Sequence, residues 1–244
     1  MVSKKSQVTV FVILGIVLVG GLLVFFLARD SGKIDVVSPE VEPVYNFVLK
    51  CLDKVSNDAV YEVMNTGGYY DLPELVTDNH VAYYYYEERS YVPSKEDIEM
   101  ELESYMNDLL PLCIKNFEEL PDYEVDSGEV DSEVEIEDDR VEFEVSYRLS
   151  IKKGENSYSF ERFGYVVQIR LGLIIEAVRE MIDLQLETPD DICLNCLTDV
   201  MNKYDLEMDL YEYKDDAIIF YVLDKENEVN QDVGVFVFAN RYES

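Results

Sequence analysis

The 244-residue chain has no tryptophan, a single histidine, seven prolines, and 20 basic residues against 52 acidic ones. Each shortage excludes something. At a formal charge of −32 there are too few lysines and arginines to neutralise phosphates, so no nucleic acid is expected as a partner. His80 is the only histidine. It follows Asp78-Asn79 with no serine or cysteine nucleophile motif nearby, which leaves a histidine base without a group to activate. Phosphate-binding loops, the dinucleotide fingerprint, G-x-S-x-G and N-x-S/T glycosylation acceptors are all missing. The acid-rich stretch Asp122–Asp139 does not match the calcium-loop spacing, with glycine at its sixth position and glutamate at its twelfth. Among 52 acids no carboxylate pair stands out as catalytic. No catalytic residue, metal site or cofactor is therefore expected, and a binding or structural role fits better than an enzyme.

What is present begins with one apolar run. Val8 to Ala28 carries no charge, and Thr9 is its only polar side chain besides glycine. As a helix this stretch is about 32 Å long at about 1.5 Å per residue, against a hydrocarbon core of roughly 30 Å. In lipid the backbone must satisfy its own hydrogen bonds, which favours the helix despite the many valines and isoleucines. A cleaved secretory signal has a shorter apolar core, about 7–15 residues, and a small-residue cleavage site. Phe25-Phe26-Leu27-Ala28-Arg29 offers none. The run reads as an uncleaved single-pass anchor.

Lys4 and Lys5 precede the run and favour a cytoplasmic N-terminus. Residues 1–33 hold four basic residues (Lys4, Lys5, Arg29, Lys33) and one acid (Asp30), leaving 16 basic against 51 acidic beyond them. A domain of that charge is repelled by an anionic inner leaflet, so it is expected on the extracellular side. The acidity also suits a high-salt habitat, cationic or basic partners, and resistance to aggregation. Nineteen tyrosines and eleven phenylalanines argue against a disordered acidic tail. Four cysteines, Cys51, Cys113, Cys193 and Cys196, all follow the apolar run. An even count in an oxidising compartment suggests two disulfides, with three connectivities open.

Residues 30–42 read as a linker between the cytoplasmic tip and span (1–29) and a domain over 43–244, with 43–165 and 166–244 as candidate halves. A helix is expected from Pro43, with Val44, Phe47, Val48, Cys51, Leu52, Val55, Ala59, Val60 and Val63 in one stripe, ending at Gly67-Gly68. Tyr83–Tyr86 reads as a strand with alternate rings on opposite faces. A second helix is expected from a capping box at Ser94, with Cys113 on its apolar stripe and a kink at Pro111. Residues 130–151 alternate as strands, and 157–163 return as a hairpin partner. Val167 to Leu186 takes helical spacing. Thr188-Pro189 opens a short helix holding Cys193 and Cys196, and three strands follow at 206–213, 217–223 and 233–239. Segregated helices and strands imply an α+β domain with antiparallel sheet.

Two features carry candidate chemistry. Cys193-Leu194-Asn195-Cys196 is a C-x-x-C at a helix start, which is a redox motif when the helix N-terminus lowers a thiol pKa. A structural disulfide, either within the motif or to Cys51 and Cys113, is the plainer reading. A Cys51–Cys113 bridge between the first two helices is the preferred pairing, since both cysteines sit on apolar stripes. Gly67-Gly68-Tyr69-Tyr70 combines glycine with clustered tyrosine, a composition suited to a recognition loop.

The leader Lys4-Lys5-Ser6-Gln7-Val8-Thr9 resembles the start of uncharacterised single-span membrane-anchored proteins of small-genome (DPANN-type) archaea. In that group the span is followed by a helix with one cysteine (here Phe47 to Cys51), a Gly-Gly-Tyr stretch ending in proline (Gly67 to Pro73), and a second cysteine-bearing helix. The resemblance implies a cell-surface location and transfers no activity. The same leader is similar to archaeal type IV pilin signals, with Ser6-Gln7 as the processing point. Pilins carry a glutamate at the fifth mature position, where this chain has Phe11. The expectation is thus a membrane-anchored cell-surface protein of binding or structural type, with protein partners at the surface. A pilin-like filament subunit, which alone would make it a homo-oligomer, is the alternative. An envelope enzyme or thiol-redox protein using the C-x-x-C comes third.

Overall fold

A computed structural model of the chain describes residues 37–189, 192–214, 217–229 and 232–242. The apolar run Val8–Ala28 and the Ser6-Gln7 leader lie outside the described residues. Among the described ones, no helix is long and apolar enough to cross a membrane. The chain divides after Ser38, and Pro39–Ser244 forms the second, compact unit. The second is an α+β domain with antiparallel sheets.

Helix α1 spans Glu42–Asn65, with Pro43 in its first turn, where a missing N–H costs nothing. Val44, Val48, Cys51, Leu52, Val55, Ala59, Val60 and Val63 are buried. Their three-and-four spacing gives a stripe wide enough for α1 to pack on the second helix and on strands of both sheets. The helix stops at two glycines with positive φ, where the Gly68 N–H donates to the Val63 carbonyl at 2.7 Å. A Cβ on Gly68 would also stand 3.0 Å from Ile98 Cγ1. Strands β1 (Tyr83–Tyr86) and β2 (Arg89–Ser90) form a small hairpin before the next helix.

Helix α2 spans Lys95–Ile114 and opens on a full capping box. The Ser94 hydroxyl accepts from the Asp97 N–H, and the Asp97 carboxylate accepts from the Ser94 N–H. Donation from the Ser94 hydroxyl (2.7 Å), and then from the Ser94 N–H, holds the Asp97 carboxyl below its usual pKa. Ile98, Leu102, Met106, Leu110 and Ile114 are buried. The α-helix continues through Pro111 to Ile114, so the proline falls in the last turn. Lys115 then ends the helix in the left-handed region, its N–H bonded to the Pro111 carbonyl.

Strands β3 (Glu124–Ile136), β4 (Val141–Lys153) and β5 (Asn156–Val167) form a three-stranded antiparallel sheet in chain order. Val141, Phe143, Val145, Tyr147, Leu149 and Ile151 of β4 all face the core. Val167, expected at the start of the third helix, belongs instead to a strand. Val167 ends β5, paired with Val141, and helix α3 begins at Leu171 and runs to Glu187. Both a strand's inner face and a helix's stripe accept a buried valine, and the ladder with β4 decides between them.

The outer edge of β3 is closed by a row of side chains from α2. Asn107 Oδ1 accepts from the Ser132 N–H (3.0 Å), Glu103 Oε1 from the Val134 N–H (3.1 Å), and Glu99 Oε1 from the Ile136 N–H (2.8 Å). Lys95 Nζ completes the row by donating to the Ile136 carbonyl at 2.8 Å. Four residues of helix advance about 6 Å and two residues of strand nearly 7 Å, so residues four apart on α2 match alternate residues on β3.

Helix α4 (Leu194–Tyr204) packs on α3. Strands β6 (Glu207–Glu212), β7 (Ala217–Val229) and β8 (Asp232–Arg241) make an antiparallel meander. The early hairpin joins it through β1, which runs parallel to β8, and the five-stranded order is β2-β1-β8-β7-β6. At the β7 irregularity after Asp224, the buried Asp224 carboxylate accepts from Arg170 Nη2 (2.6 Å), Arg170 Nε (3.1 Å), the Glu226 N–H (3.1 Å) and Asn227 Nδ2 (2.8 Å).

Candidate binding face and cysteine pairs

One side of the five-stranded sheet is covered by helices. Phe220, Phe236 and Phe238 are buried there, with Phe220 and Phe238 stacked at 4.9 Å. The opposite side carries a smaller cluster of Val81, Ile219, Val237 and Ala239. Its outer layer is Tyr83, Tyr213, Tyr221 and Val235, all partly buried. Tyr211 pairs with Ile219 across β6 and β7, so it stands on this same side and is 60 % exposed. Asp209 pairs with Tyr221 and Glu207 with Leu223, which places two exposed carboxylates beside the rings.

The tyrosine strand shows how this face is populated. The expected alternation of Tyr83–Tyr86 does not hold. A register shift between Tyr83 and Tyr85 turns Tyr84 and Tyr85 to the helix-covered side. There Tyr84 stacks on Phe238 at 4.9 Å and donates its hydroxyl to the Gly67 carbonyl at 2.8 Å. Tyr85 meets the ring of Tyr242 at 5.7 Å, and the Tyr242 hydroxyl donates to Gln185 of α3 at 3.2 Å. Burial pushes the Tyr84 hydroxyl well above its ordinary pKa and that of Tyr242 to about 12. Tyr83 and Tyr86 meet ring to ring on the other side, at 5.6 Å. A bulge places two consecutive side chains on one face, which no period-two pattern anticipates.

Cations of the chain itself already use these rings. Arg241 lies over Tyr86 at 5.4 Å, and Lys214 lies over Tyr213 at 5.7 Å while bridging to Asp78 at 2.8 Å. That bridge holds the Asp78 carboxyl below its usual value. The face combines tyrosine rings, a thin apolar layer and a carboxylate margin, a set suited to cationic side chains. The sequence carries one visible trace of it, the Tyr211-x-Tyr213 alternation. The other rings arrive from separate segments through strand pairing.

The residues singled out from the sequence lie elsewhere. Gly67 and Gly68 are buried, while Tyr69 and Tyr70 are half-buried. The Tyr70 and Asp71 N–H groups both donate to Glu101 Oε2 at 2.8 Å. The Tyr70 ring meets Tyr105 at 5.1 Å, so this loop is fastened to α2. Burial, then the charges of Asp97 and Glu101, raise the Tyr69 hydroxyl above its ordinary pKa. Cys51 of α1 is bonded to Cys113 of α2, with Cα atoms 5.7 Å apart, and Cys193 is bonded to Cys196, with Cα atoms 5.2 Å apart. Cys193 is the N-cap of α4, and its Sγ accepts from the Cys196 N–H at 3.3 Å.

The solvent side of the three-stranded sheet holds a shallow groove of about 360 Å³, lined by Asp131, Glu133, Glu144, Ser146, Arg162 and Gly164. Glu133 faces Glu144, and Glu135 faces Glu142, directly across the strands. Among the described residues no group of three or more histidine, cysteine or acidic side chains converges to hold a metal ion. Compared with protein-family models, curated proteins and solved structures, the chain matches none.

Proposed function

We propose that the chain is a membrane-anchored cell-surface protein whose α+β domain binds a partner polypeptide presenting lysine and arginine side chains. The observation that carries this reading is the tyrosine face of the five-stranded sheet with its carboxylate margin. Half-buried rings give large contact area with little entropy to lose, and each cation over an exposed ring contributes roughly 0.5–1 kcal/mol. A second copy of this chain is a poor occupant, because two bodies of charge −32 repel. Two disulfides support an oxidising location, and Val8–Ala28 supplies the anchor. The N-terminus is then cytoplasmic and the domain extracellular.

Binding of a lysine- and arginine-rich peptide to the full chain in detergent tests the face. Replacing Tyr211 and Tyr221 together by alanine should weaken binding about tenfold, the sum of two ring–cation contacts. The Glu133→Gln/Glu144→Gln pair removes two negative charges from the other sheet, where the tyrosine pair removes none, and should leave affinity nearly unchanged. If that pair weakens binding as much as the tyrosine pair does, only general attraction is at work and the face is not the site. Protease digestion of intact cells tests topology, since a domain left uncut would place it inside. An intact mass beginning at Gln7 would favour a pilin-like subunit over an anchor.

A further inference from the structure

The two disulfides occupy contrasting sites. Cys51 is 4 % exposed on the buried stripe of α1, Cys113 of α2 is part-exposed, and their bond closes a separation of 62 residues. Opening it would unstitch the two-helix core and release a long loop into the unfolded ensemble. Cys193 and Cys196 are both part-exposed, and their bond spans three residues, so it restrains the unfolded chain far less. Opening it needs no movement of α4, whose buried side chains Leu197, Val200 and Met201 hold it on α3 independently.

The surroundings of this pair suit exchange in two independent ways. Cys193 sits at the N-terminus of an 11-residue helix, and its sulfur already accepts the Cys196 N–H, so a thiolate there gains a donor and the helix dipole. The α3–α4 hairpin also exposes apolar surface at this same end. Leu186, in the last turn of α3, is 39 % exposed, and Leu194, the first residue of α4, is 57 % exposed. Lys203 and Tyr204 reach Glu180 (2.6 and 3.0 Å) and Arg170 at the start of α3 reaches the Tyr204 carbonyl (3.4 Å), so the two helices run antiparallel, with the end of α3 toward the start of α4, where Leu194 directly follows Cys193. Exposed leucines at this end of the hairpin offer apolar contact to a loosely folded polypeptide.

We propose that Cys193–Cys196 is a thiol–disulfide exchange site that oxidises paired cysteines on other polypeptides. A substrate thiolate attacks Cys193 Sγ, a mixed disulfide forms, and the Cys193–Cys196 bond breaks with Cys196 leaving as a thiolate that takes up a proton. The substrate's second thiol then loses its proton and attacks the substrate sulfur of the mixed disulfide. Cys193 departs as a thiolate held by the Cys196 N–H. Two electrons pass from the substrate dithiol to the pair, and the substrate leaves with a new disulfide.

The test uses the full chain in detergent, equilibrated in graded mixtures of reduced and oxidised glutathione, alkylated, and read by mass spectrometry. Cys193 and Cys196 should become alkylated together in mixtures that leave Cys51–Cys113 closed and the circular dichroism unchanged. Cys196→Ser should trap glutathione on Cys193 about tenfold faster than Cys193→Ser traps it on Cys196, as the helix N-terminus predicts. The site is refuted if Cys193–Cys196 opens only with Cys51–Cys113 or with unfolding, or if both variants trap glutathione at the same rate. These outcomes do not touch the tyrosine face, which lies on a different sheet surface.

Discussion

Burying a carboxylate without partners costs several kcal/mol, and Asp224, with 0 % exposure, has four donors around it. Arg170 reaches it from the start of α3 with Nε and Nη2, and Nη2 also donates to the Asp205 carbonyl at 3.0 Å, where α4 turns into β6. The Glu226 and Asn227 donors fix the β7 irregularity. One side chain thus ties a helix start, a helix end and a strand bulge together. Burial works to raise the Asp224 pKa, but the Arg170, Asn227 and Glu226 hydrogen bonds outweigh it, and the net shift is downward. The folded value lies below the unfolded one, so the stabilisation is fully present above the unfolded carboxyl range. It is lost as pH falls through the folded value. Asp224→Ala should cost about 3–5 kcal/mol in urea unfolding near neutral pH, because it leaves the Arg170 charge with only its 3.8 Å contact to exposed Glu226. It should also flatten the acid limb of stability against pH; an unaltered acid limb would show that other carboxylates set it.

At the scale of elements, the α2–β3 contact explains part of the acidity. Glu99, Glu103 and Asn107 act as acceptors for an edge strand that would otherwise expose a row of N–H groups to other chains. Lys95 holds the end of the row through both Glu99 (3.6 Å) and the Ile136 carbonyl. Glu99→Ala/Glu103→Ala should speed amide hydrogen exchange at Val134 and Ile136 while leaving β4 amides protected. Each lost acceptor should cost about 1–3 kcal/mol. Unchanged exchange at those two amides would mean that water replaces the carboxylates without loss. The helical spacing of α1 and α2 was legible in the sequence because one buried stripe writes itself as a three-and-four pattern. The row on α2 was not, since glutamates four apart read equally as a solvated face. Only the strand lying alongside makes them acceptors. The tyrosine bulge was hidden for the same reason: it is set by how β1 meets β8, which are some 150 residues apart in sequence.

Over the whole molecule, charge is the largest unspent term. Glu133 opposite Glu144, and Glu135 opposite Glu142, are like-charge cross-strand pairs, each unfavourable by a few tenths of a kcal/mol or more. Arg140 offsets part of this through Glu137 (2.6 Å), Glu142 (2.5 Å) and Asp139 (3.2 Å). Raising salt from about 0.01 M to about 1 M shortens the screening length from about 30 Å to about 3 Å. Repulsion between exposed acids should fall, while the buried Arg170–Asp224 pair is little affected. Stability should rise by on the order of 1 kcal/mol, seen as a melting temperature about 2–4 °C higher by calorimetry. A melting temperature that falls with salt would mean the surface ion pairs outweigh the repulsion.

By itself the sequence determined the apolar run at Val8–Ala28, the acidic charge, the two cysteine-bearing helices and the α+β order, because each is local or compositional. The Cys51–Cys113 pairing was also within reach, as each cysteine falls in the apolar spacing of its own helix. Tertiary structure alone decided that Tyr83, Tyr86, Tyr211, Tyr213 and Tyr221 share one sheet face. It also decided that α3 and α4 run antiparallel, and that α2 closes the edge of β3. Those facts depend on register and on which elements lie side by side. That is fixed by the packing of the whole chain, not by the preferences of any one segment.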